Sequence, residues 1–183
     1  MPIIAYLGST VNKYREKSLI ILQSLEICCS THNTKRMAVH DSYPRTIKET
    51  GEKIRIYRLI CYECNDTIAV LPDFLMPYKQ YSANEIEAVI IDAETTGVYD
   101  IETKASVYTV RRWIKTIGDQ ITEWISKFKA LIIKTTGKTV SEIILLGLTP
   151  TEQLKTLSEY LPKIKTCGNI LGFACIYIFS HYM

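Results

Sequence analysis

The sequence predicts an α+β fold in which a small N-terminal β domain precedes an all-helical region. Two pairs of Cys and His residues lie in the N-terminal half, with 28 residues between them. Residues 54–60 are rich in β-branched and aromatic side chains and run directly into the second pair, which predicts a strand. From Ser82 onward, apolar residues recur at helical spacing. A chain of 183 residues is long enough for two small domains of these kinds.

The two pairs predict a structural zinc site. They are Cys29 with His32 and Cys61 with Cys64. Structural Zn²⁺ takes four N or S ligands in a tetrahedron, and two tight turns that each offer two ligands supply them with little strain. Asn33 and Asn65 follow the pairs, and Asn tolerates the left-handed backbone that such turns need. We therefore predict a zinc ribbon with a first knuckle at 29–32 and a second knuckle at 61–64.

Neighbouring residues leave alternatives open for the first knuckle. Cys28 could replace Cys29, and His40 could replace His32, although the two-residue spacing favours the named pair. The cysteines could instead be ordinary buried thiols. That interpretation is favoured for the two cysteines without a partner at ligand spacing, Cys167 and Cys175. Zinc held by four protein ligands would be structural, because no position is left for a reactive water.

The segments around the knuckles predict short strands and a helix. Residues 3–7 are an apolar strand candidate, and a helix-like stretch around 19–22 follows. Between the knuckles, residues 39–47 and 54–60 predict a hairpin with its turn at 49–51. A hairpin of this size is what a zinc ribbon requires.

Two prolines predict an ordered but irregular linker after the second knuckle. Pro72 and Pro77 disfavour a regular helix or a central strand over residues 69–78. We therefore predict two domains. Residues 1–78 hold the zinc ribbon and the linker, and residues 79–183 form the helical domain.

The helical domain is predicted to begin at a capping box. Ser82 and Glu85 have the spacing at which the two side chains satisfy amides of the first helical turn. One face of this helix is apolar at Ile86, Val89, Ile90 and Ala93. Gly97 is expected to end it, a short second helix is expected at about 100–104, and Ser106 is expected to cap a long third helix.

The third helix is predicted to have an apolar face and a basic face. The apolar face comprises Val107, Val110, Ile114, Ile117, Ile121, Trp124, Ile125 and Phe128. The basic face comprises Tyr108, Arg111, Arg112 and Lys115. A helix, a short helix and a third helix with exposed Arg and Lys predict a DNA-binding helix-turn-helix at about 82–130. The alternative is that the basic residues simply form the solvated face of a helix in a helical bundle.

The distribution of charge supports the DNA-binding interpretation more than the net charge of +3 does. Residues 83–102 contain six acidic and no basic side chains, whereas residues 103–138 contain eight basic and two acidic ones. Arg and Lys can grip phosphate or read guanine, and Tyr can bond phosphate or stack. Within the predicted ribbon, Arg45, Arg55 and Arg58 are candidates for further phosphate contacts.

The C-terminal region is predicted to be helical. Residues 149–152 combine a capping box with Pro at the first helical position. The apolar face of this helix is Leu154, Leu157 and Leu161. Residues 170–179 are apolar but span only about half of the twenty or so residues that a bilayer requires. We expect a packed terminal helix, or a contact with a second copy, and no membrane partner. With no secretory signal, the expected location is the cytoplasm, at the nucleoid.

Several motifs together carry a resemblance to a known group of proteins. They are Cys29-x2-His32, His40-Asp41-Ser42-Tyr43-Pro44-Arg45, Ile56-Tyr57-Arg58-x2-Cys61-x2-Cys64, Leu71-Pro72-Asp73-Phe74, Pro77-Tyr78-Lys79-x-Tyr81-Ser82 and Thr109-Val110-Arg111-Arg112-Trp113. Residues 1–135 resemble an uncharacterised bacterial family of transposase-associated proteins with a zinc ribbon followed by a helix-turn-helix. The sequence departs from that family at His32, where a cysteine would be expected. The resemblance implies DNA binding linked to insertion elements.

Three functions are compatible with the sequence. The favoured one is a zinc-stabilised protein that binds double-stranded DNA and takes part in recognition or regulation of a transposable element. The alternative is a scaffold that docks a transposase, or a second copy of itself, through its C-terminal helices. A nuclease or transposase is disfavoured, because the acidic residues lie on or between predicted helices and form no convincing two-metal carboxylate site.

Overall fold

The computed structural model describes residues 2–32, 36–96, 103–163, 165–166 and 168–181. The chain divides into two compact units, and the first unit consists of Met1–Ala83 with Lys165–Met183. The second unit is Asn84–Ile164. The α+β class is confirmed by a four-stranded sheet and by helices that include a long one. The C-terminal segment, which the sequence assigned to the helical domain, clusters with the sheet.

The first unit is built on one mixed sheet. Its strands are β1 (Ile3–Ala5), β2 (Ala38–Thr46), β3 (Lys53–Ile60) and β4 (Thr67–Pro72). Their order is β1-β4-β3-β2, with β1 parallel to β4 and the other pairs antiparallel. The predicted hairpin between the knuckles is β2–β3, and its turn closes through a hydrogen bond of 2.8 Å from Gly51 N to Ile47 O.

The prediction of an irregular linker over 69–78 is wrong for its first part. β4 lies between β1 and β3, so it is a central strand. The position of Pro72 explains why a proline is tolerated there. Antiparallel pairing with β3 ends at Val70, and Pro72, the last residue of β4, is in register only with Ala5 of the short strand β1. The missing amide of proline therefore removes no bond from the β3–β4 ladder.

Helix α1 (Val11–Ser24) covers part of β3. The Thr10 side chain caps its N-terminus. Tyr14 is buried, and its ring meets Phe74 edge to face with 5.7 Å between centroids. Its hydroxyl donates a hydrogen bond to the backbone oxygen of Arg55 in β3. This aromatic contact and the buried hydrogen bond fix α1 on the sheet.

In the second unit, α2 is Ala83–Thr96, α3 is Val107–Thr136, α4 is Glu142–Leu145 and α5 is Pro150–Ser158. α3 packs against α5. The carboxylate of Glu94 in α2 accepts hydrogen bonds from N and Oγ1 of Thr151, at 3.2 and 3.1 Å. Gly97 and most of the short helix predicted at 100–104 lie outside the described residues, while Thr103 is not helical. The helix-turn-helix therefore stays a prediction.

The buried stripe of α3 largely follows the predicted periodicity. It consists of Val110, Trp113, Ile117, Ile121, Trp124, Phe128, Leu131 and Ile132. Val107, the first residue of α3, is 57% exposed, so the prediction that it is buried is wrong. Trp113 was missed, although it lies three and four residues from buried neighbours on the same stripe. Ile114 and Ile125 are only half-buried at the edge of the stripe.

The predicted N-terminal caps of α3 and α5 are confirmed. The Ser106 side chain caps α3, and Thr149 and Glu152 form the complete capping box of α5. At the start of α2, the amide of Ser82 donates to Glu49 Oε1 at 2.9 Å. A carboxylate from the hairpin turn thus takes the amide that a local capping box would use.

The last helix, α6 (Ile170–His181), belongs to the first unit and packs against β1. The prediction of a packed terminal helix is confirmed. Its buried side chains are Leu171, Ala174, Cys175, Tyr177 and Ile178. Burial raises the pKa of the Cys175 thiol to about 12, in keeping with an inert core cysteine. Cys167 lies outside the described residues. None of the described helices combines the length and apolar character of a membrane span.

Candidate functional site

The second knuckle is the connection between β3 and β4. Cys61 directly follows the last residue of β3, and its amide donates to Asp66 O at 2.9 Å. Its carbonyl accepts from Asn65 N at 2.7 Å. Asn65 has φ of 61°, so the predicted left-handed residue is confirmed here. The strand pairing and these two bonds hold the turn in shape. The corresponding Asn33 lies outside the described residues.

The first knuckle lies between α1 and β2. Met37 N donates to Ile27 O at 2.9 Å and closes the loop at its base. The Arg36 guanidinium donates to the carbonyls of Gln23 and Leu25, which belong to the C-terminal end of α1. A cation at this end of a helix satisfies carbonyls and complements the dipole. The sequence analysis missed this function of Arg36, because a lone arginine in a loop carries no distinguishing spacing.

The structure brings the four predicted ligands together. The ligand atoms of Cys29, His32, Cys61 and Cys64 all lie within 4.8 Å of one another. Cys29 Sγ is 3.7 Å from Cys64 Sγ, and His32 Nδ1 is 3.8 and 3.7 Å from the sulfurs of Cys29 and Cys61. Zn–S bonds of about 2.3 Å in a tetrahedron place two sulfurs about 3.8 Å apart. The group could therefore hold a metal ion of that size.

The alternative ligands lie outside this group. Cys28 is exposed, and its sulfur lies 4.0 Å from the backbone oxygen of Glu26. His40 is exposed on the edge strand β2. Among the described residues, the group that could hold a metal ion therefore contains Cys29 and His32 rather than their neighbours.

The proton affinities within the group are strongly uneven. The pKa of Cys29 falls to about 6, chiefly because the amide of His32 donates to its sulfur, and the amide of Cys64 lowers the pKa of Cys61. The pKa of His32 is raised, chiefly by its hydrogen bond with Cys29. The Asp66 amide lowers the pKa of Cys64, but burial and the neighbouring sulfurs raise it more, to about 12. A metal ion would replace the protons that the sulfur and imidazole ligand atoms share.

All four residues of the predicted basic face are exposed. Tyr108 is 76% exposed, and Arg111, Arg112 and Lys115 are exposed on the same part of α3. Their spacing of three and four residues places them side by side on the helix surface. This face lies opposite the buried stripe of the second unit.

Arg45 and Arg58, two of the arginines predicted to contact DNA from a zinc ribbon, have internal partners. The Arg45 guanidinium donates to the carbonyls of Met76, at 3.0 Å, and Lys79. Arg58 forms a two-pronged ion pair with Asp41, including an Nε to Oδ1 distance of 2.6 Å. This pairing lowers the pKa of the carboxyl and raises that of the guanidinium. The structure thus gives both arginines a local structural role, whereas Arg55 is exposed.

The fold and the four convergent ligands define an α+β protein with a Cys3His group that could hold a metal ion. A family model described as "Domain of unknown function (DUF6431)" matches residues 27–113. That span is somewhat less than half of the chain and includes both knuckles, the β2–β3 hairpin and the start of α3. Searches of curated proteins and of solved structures give no match.

Proposed function

We propose that this chain is a zinc-stabilised protein that binds double-stranded DNA. The four-residue group holds a structural Zn²⁺, and the basic face of α3 contacts the duplex. The single observation that carries the DNA proposal is this exposed basic face at the start of a long, well-packed helix. The resemblance to transposase-associated proteins supports a role in recognising or regulating a transposable element.

Zinc is the metal that fits the ligand group best. Three cysteine sulfurs and one imidazole form a soft and borderline donor set, which favours Zn²⁺ over the oxygen-seeking Mg²⁺ and Ca²⁺. The four ligands fill a tetrahedron and leave no open coordination position, so the ion stabilises the fold and does not activate water. Its effect is to tie the loop after α1 to the β3–β4 turn.

The electrostatics at the start of α3 support contact with phosphates. Residues 103–118 contain no Asp or Glu, and the helix has no acidic side chain in its first turn. The free amides and the helix dipole therefore add to the positive charge of Arg111, Arg112 and Lys115. Tyr108, which is 76% exposed, adds a hydroxyl that can bond phosphate.

Replacing Arg111 and Arg112 together by Ala is expected to weaken duplex binding and to flatten its salt dependence. Each phosphate contact contributes about 0.9 to the slope of log K against log salt, so losing two contacts should reduce the slope by about 2. The measurement is fluorescence anisotropy of a labelled mixed-sequence duplex over a series of salt concentrations.

The matched control removes two cations from the second half of the same helix. Lys127 and Lys129 are ion-paired with Glu123 and Glu142 at 2.5 and 2.9 Å. The Lys127→Ala, Lys129→Ala variant changes the net charge by the same amount and should keep the wild-type slope. If the two double variants show the same slope, α3 does not contact DNA through its basic face.

A second candidate is the protein-interaction scaffold. It is favoured by the apolar side chains of α4 and the residue after it, since Ile143 is 81% and Leu146 83% exposed. α6, in contrast, uses its apolar side chains within the first unit. A scaffold would keep its partner, or its self-association in sedimentation experiments, when Arg111 and Arg112 are replaced. The same scaffold would lose its partner or its self-association when Ile143 and Leu146 are changed to Ser.

A further inference from the structure

We propose that a groove on the first unit binds single-stranded nucleic acid. Tyr78 and Tyr43 supply stacking surfaces for bases, and the neighbouring cationic side chains contact the backbone phosphates. This site lies on the sheet and the loop after β4, whereas the duplex contact proposed above uses α3. It stands independently of that duplex contact.

The groove has the size and the lining that a nucleotide requires. Its volume is about 580 Å³, within the range of roughly 300–1,000 Å³ typical of small-ligand sites. Its lining includes Tyr43, Arg45, Arg58, Ile68, Tyr78 and Lys79. Aromatic rings interleaved with cations are characteristic of surfaces that bind single strands, because every base has a face that can stack. No carboxylate is among the described residues that line it.

Tyr78 is the residue that points most directly to a ligand. Its φ of 60° lies in the left-handed region, which is a true outlier for a bulky aromatic residue. The side chain is 83% exposed, so packing does not compensate for this strain. Exposed, strained residues are concentrated at functional sites, where the backbone holds a side chain ready for a ligand.

The loop that carries Tyr78 is held on both sides before any ligand arrives. Arg45 donates to the carbonyls of Met76 and Lys79, the residues two before and one after the tyrosine. Lys48 N donates to Gln80 O at 2.9 Å. Because the backbone is already fixed, little conformational entropy is lost when a base stacks on the exposed ring. Arg45 is thus a positioning residue for this site.

Tyr43, which also lines the groove, offers a second stacking surface. The Arg58 guanidinium carbon lies 6.0 Å from the ring centroid of Tyr43, and Asp41 holds the guanidinium through its ion pair. Asp41 offsets the charge of Arg58, which lowers the net positive charge of the groove. Stacking should therefore contribute more to affinity than charge does, and the salt dependence should be shallow.

Replacing Tyr78 by Asn tests this site with a built-in check on folding. Asn tolerates the left-handed backbone, so the melting temperature should stay the same or rise. Loss of the ring should weaken binding of a labelled oligothymidylate by about fivefold or more, as measured by anisotropy. Tyr78→Phe keeps the stacking surface and should stay within about twofold of wild type. Duplex binding through α3 should be unchanged in both variants.

The matched control is Tyr160→Asn, which removes a tyrosine that is 44% exposed in the second unit. It should leave oligothymidylate binding unchanged. The proposal is overturned if wild-type protein fails to bind the oligothymidylate, or if Tyr78→Asn binds it as tightly as wild type does. Equal competition by polyglutamate would also overturn it, because the groove would then be a general anion patch without base stacking.

Discussion

A variant in which both Cys61 and Cys64 are replaced by Ser is expected to lose its zinc and to unfold the sheet of the first unit. Cys61 directly follows β3, and the second knuckle joins β3 to β4, so a disordered knuckle removes the restraint between two central strands. Structural zinc contributes about 10–16 kcal/mol of apparent binding free energy in small zinc domains. That free energy is comparable with the whole free energy of unfolding of a typical domain, about 5–15 kcal/mol.

The measurement is metal content by elemental mass spectrometry, combined with circular dichroism of the same samples. Wild-type protein should contain one zinc per chain. Cys28→Ser is the matched control, because Cys28 adjoins Cys29 in sequence but is exposed and outside the ligand group. It should retain the zinc and the wild-type spectrum. A wild-type protein that is folded and free of metal would contradict the proposed site.

The ligand group could be predicted because its information is local. Each knuckle supplies two ligands within four residues, and the strand leading into Cys61 has a strong β pattern. Helix caps are local in the same sense, and the capping box at Thr149 and Glu152 follows from four consecutive residues. Where a distant residue competes for the same group, the prediction departs from the structure. Glu49 takes the amide of Ser82 in this way.

The features that the sequence did not reveal depend on contacts between distant segments. On sequence grounds Pro72 disfavours a central strand, but whether a proline costs a hydrogen bond depends on the register with the neighbouring strands. The positive φ of Tyr78 is imposed by a loop that Arg45, 33 residues earlier in the chain, helps to hold. No local pattern distinguishes such a tyrosine from one on an ordinary surface.

Besides its packing against β1, α6 makes one very close approach to the loop after β4, which leads to the second large expected effect. Gly172 lies where α6 meets the loop after β4, and a Cβ built there would be less than 3.0 Å from Asp73 O and Asn169 Oδ1. The amide of Gly172 also donates to Asn169 Oδ1 at 2.5 Å, and both Asp73 and Asn169 are buried. One added methyl group would therefore clash with a backbone oxygen, and the structure has to shift to make room for it.

Gly172→Ala is expected to destabilise the first unit by about 3 kcal/mol, the upper part of the usual range for overpacking a core. Gly118→Ala is the control, because Gly118 lies inside α3 and a Cβ there has nothing within 4 Å. That change should stabilise the helix by about 0.5–1 kcal/mol, since Ala is the better helix former. Urea unfolding followed by circular dichroism gives both values. If Gly172→Ala unfolds at the wild-type urea concentration, α6 does not approach the Asp73 carbonyl this closely, and the C-terminal segment packs elsewhere.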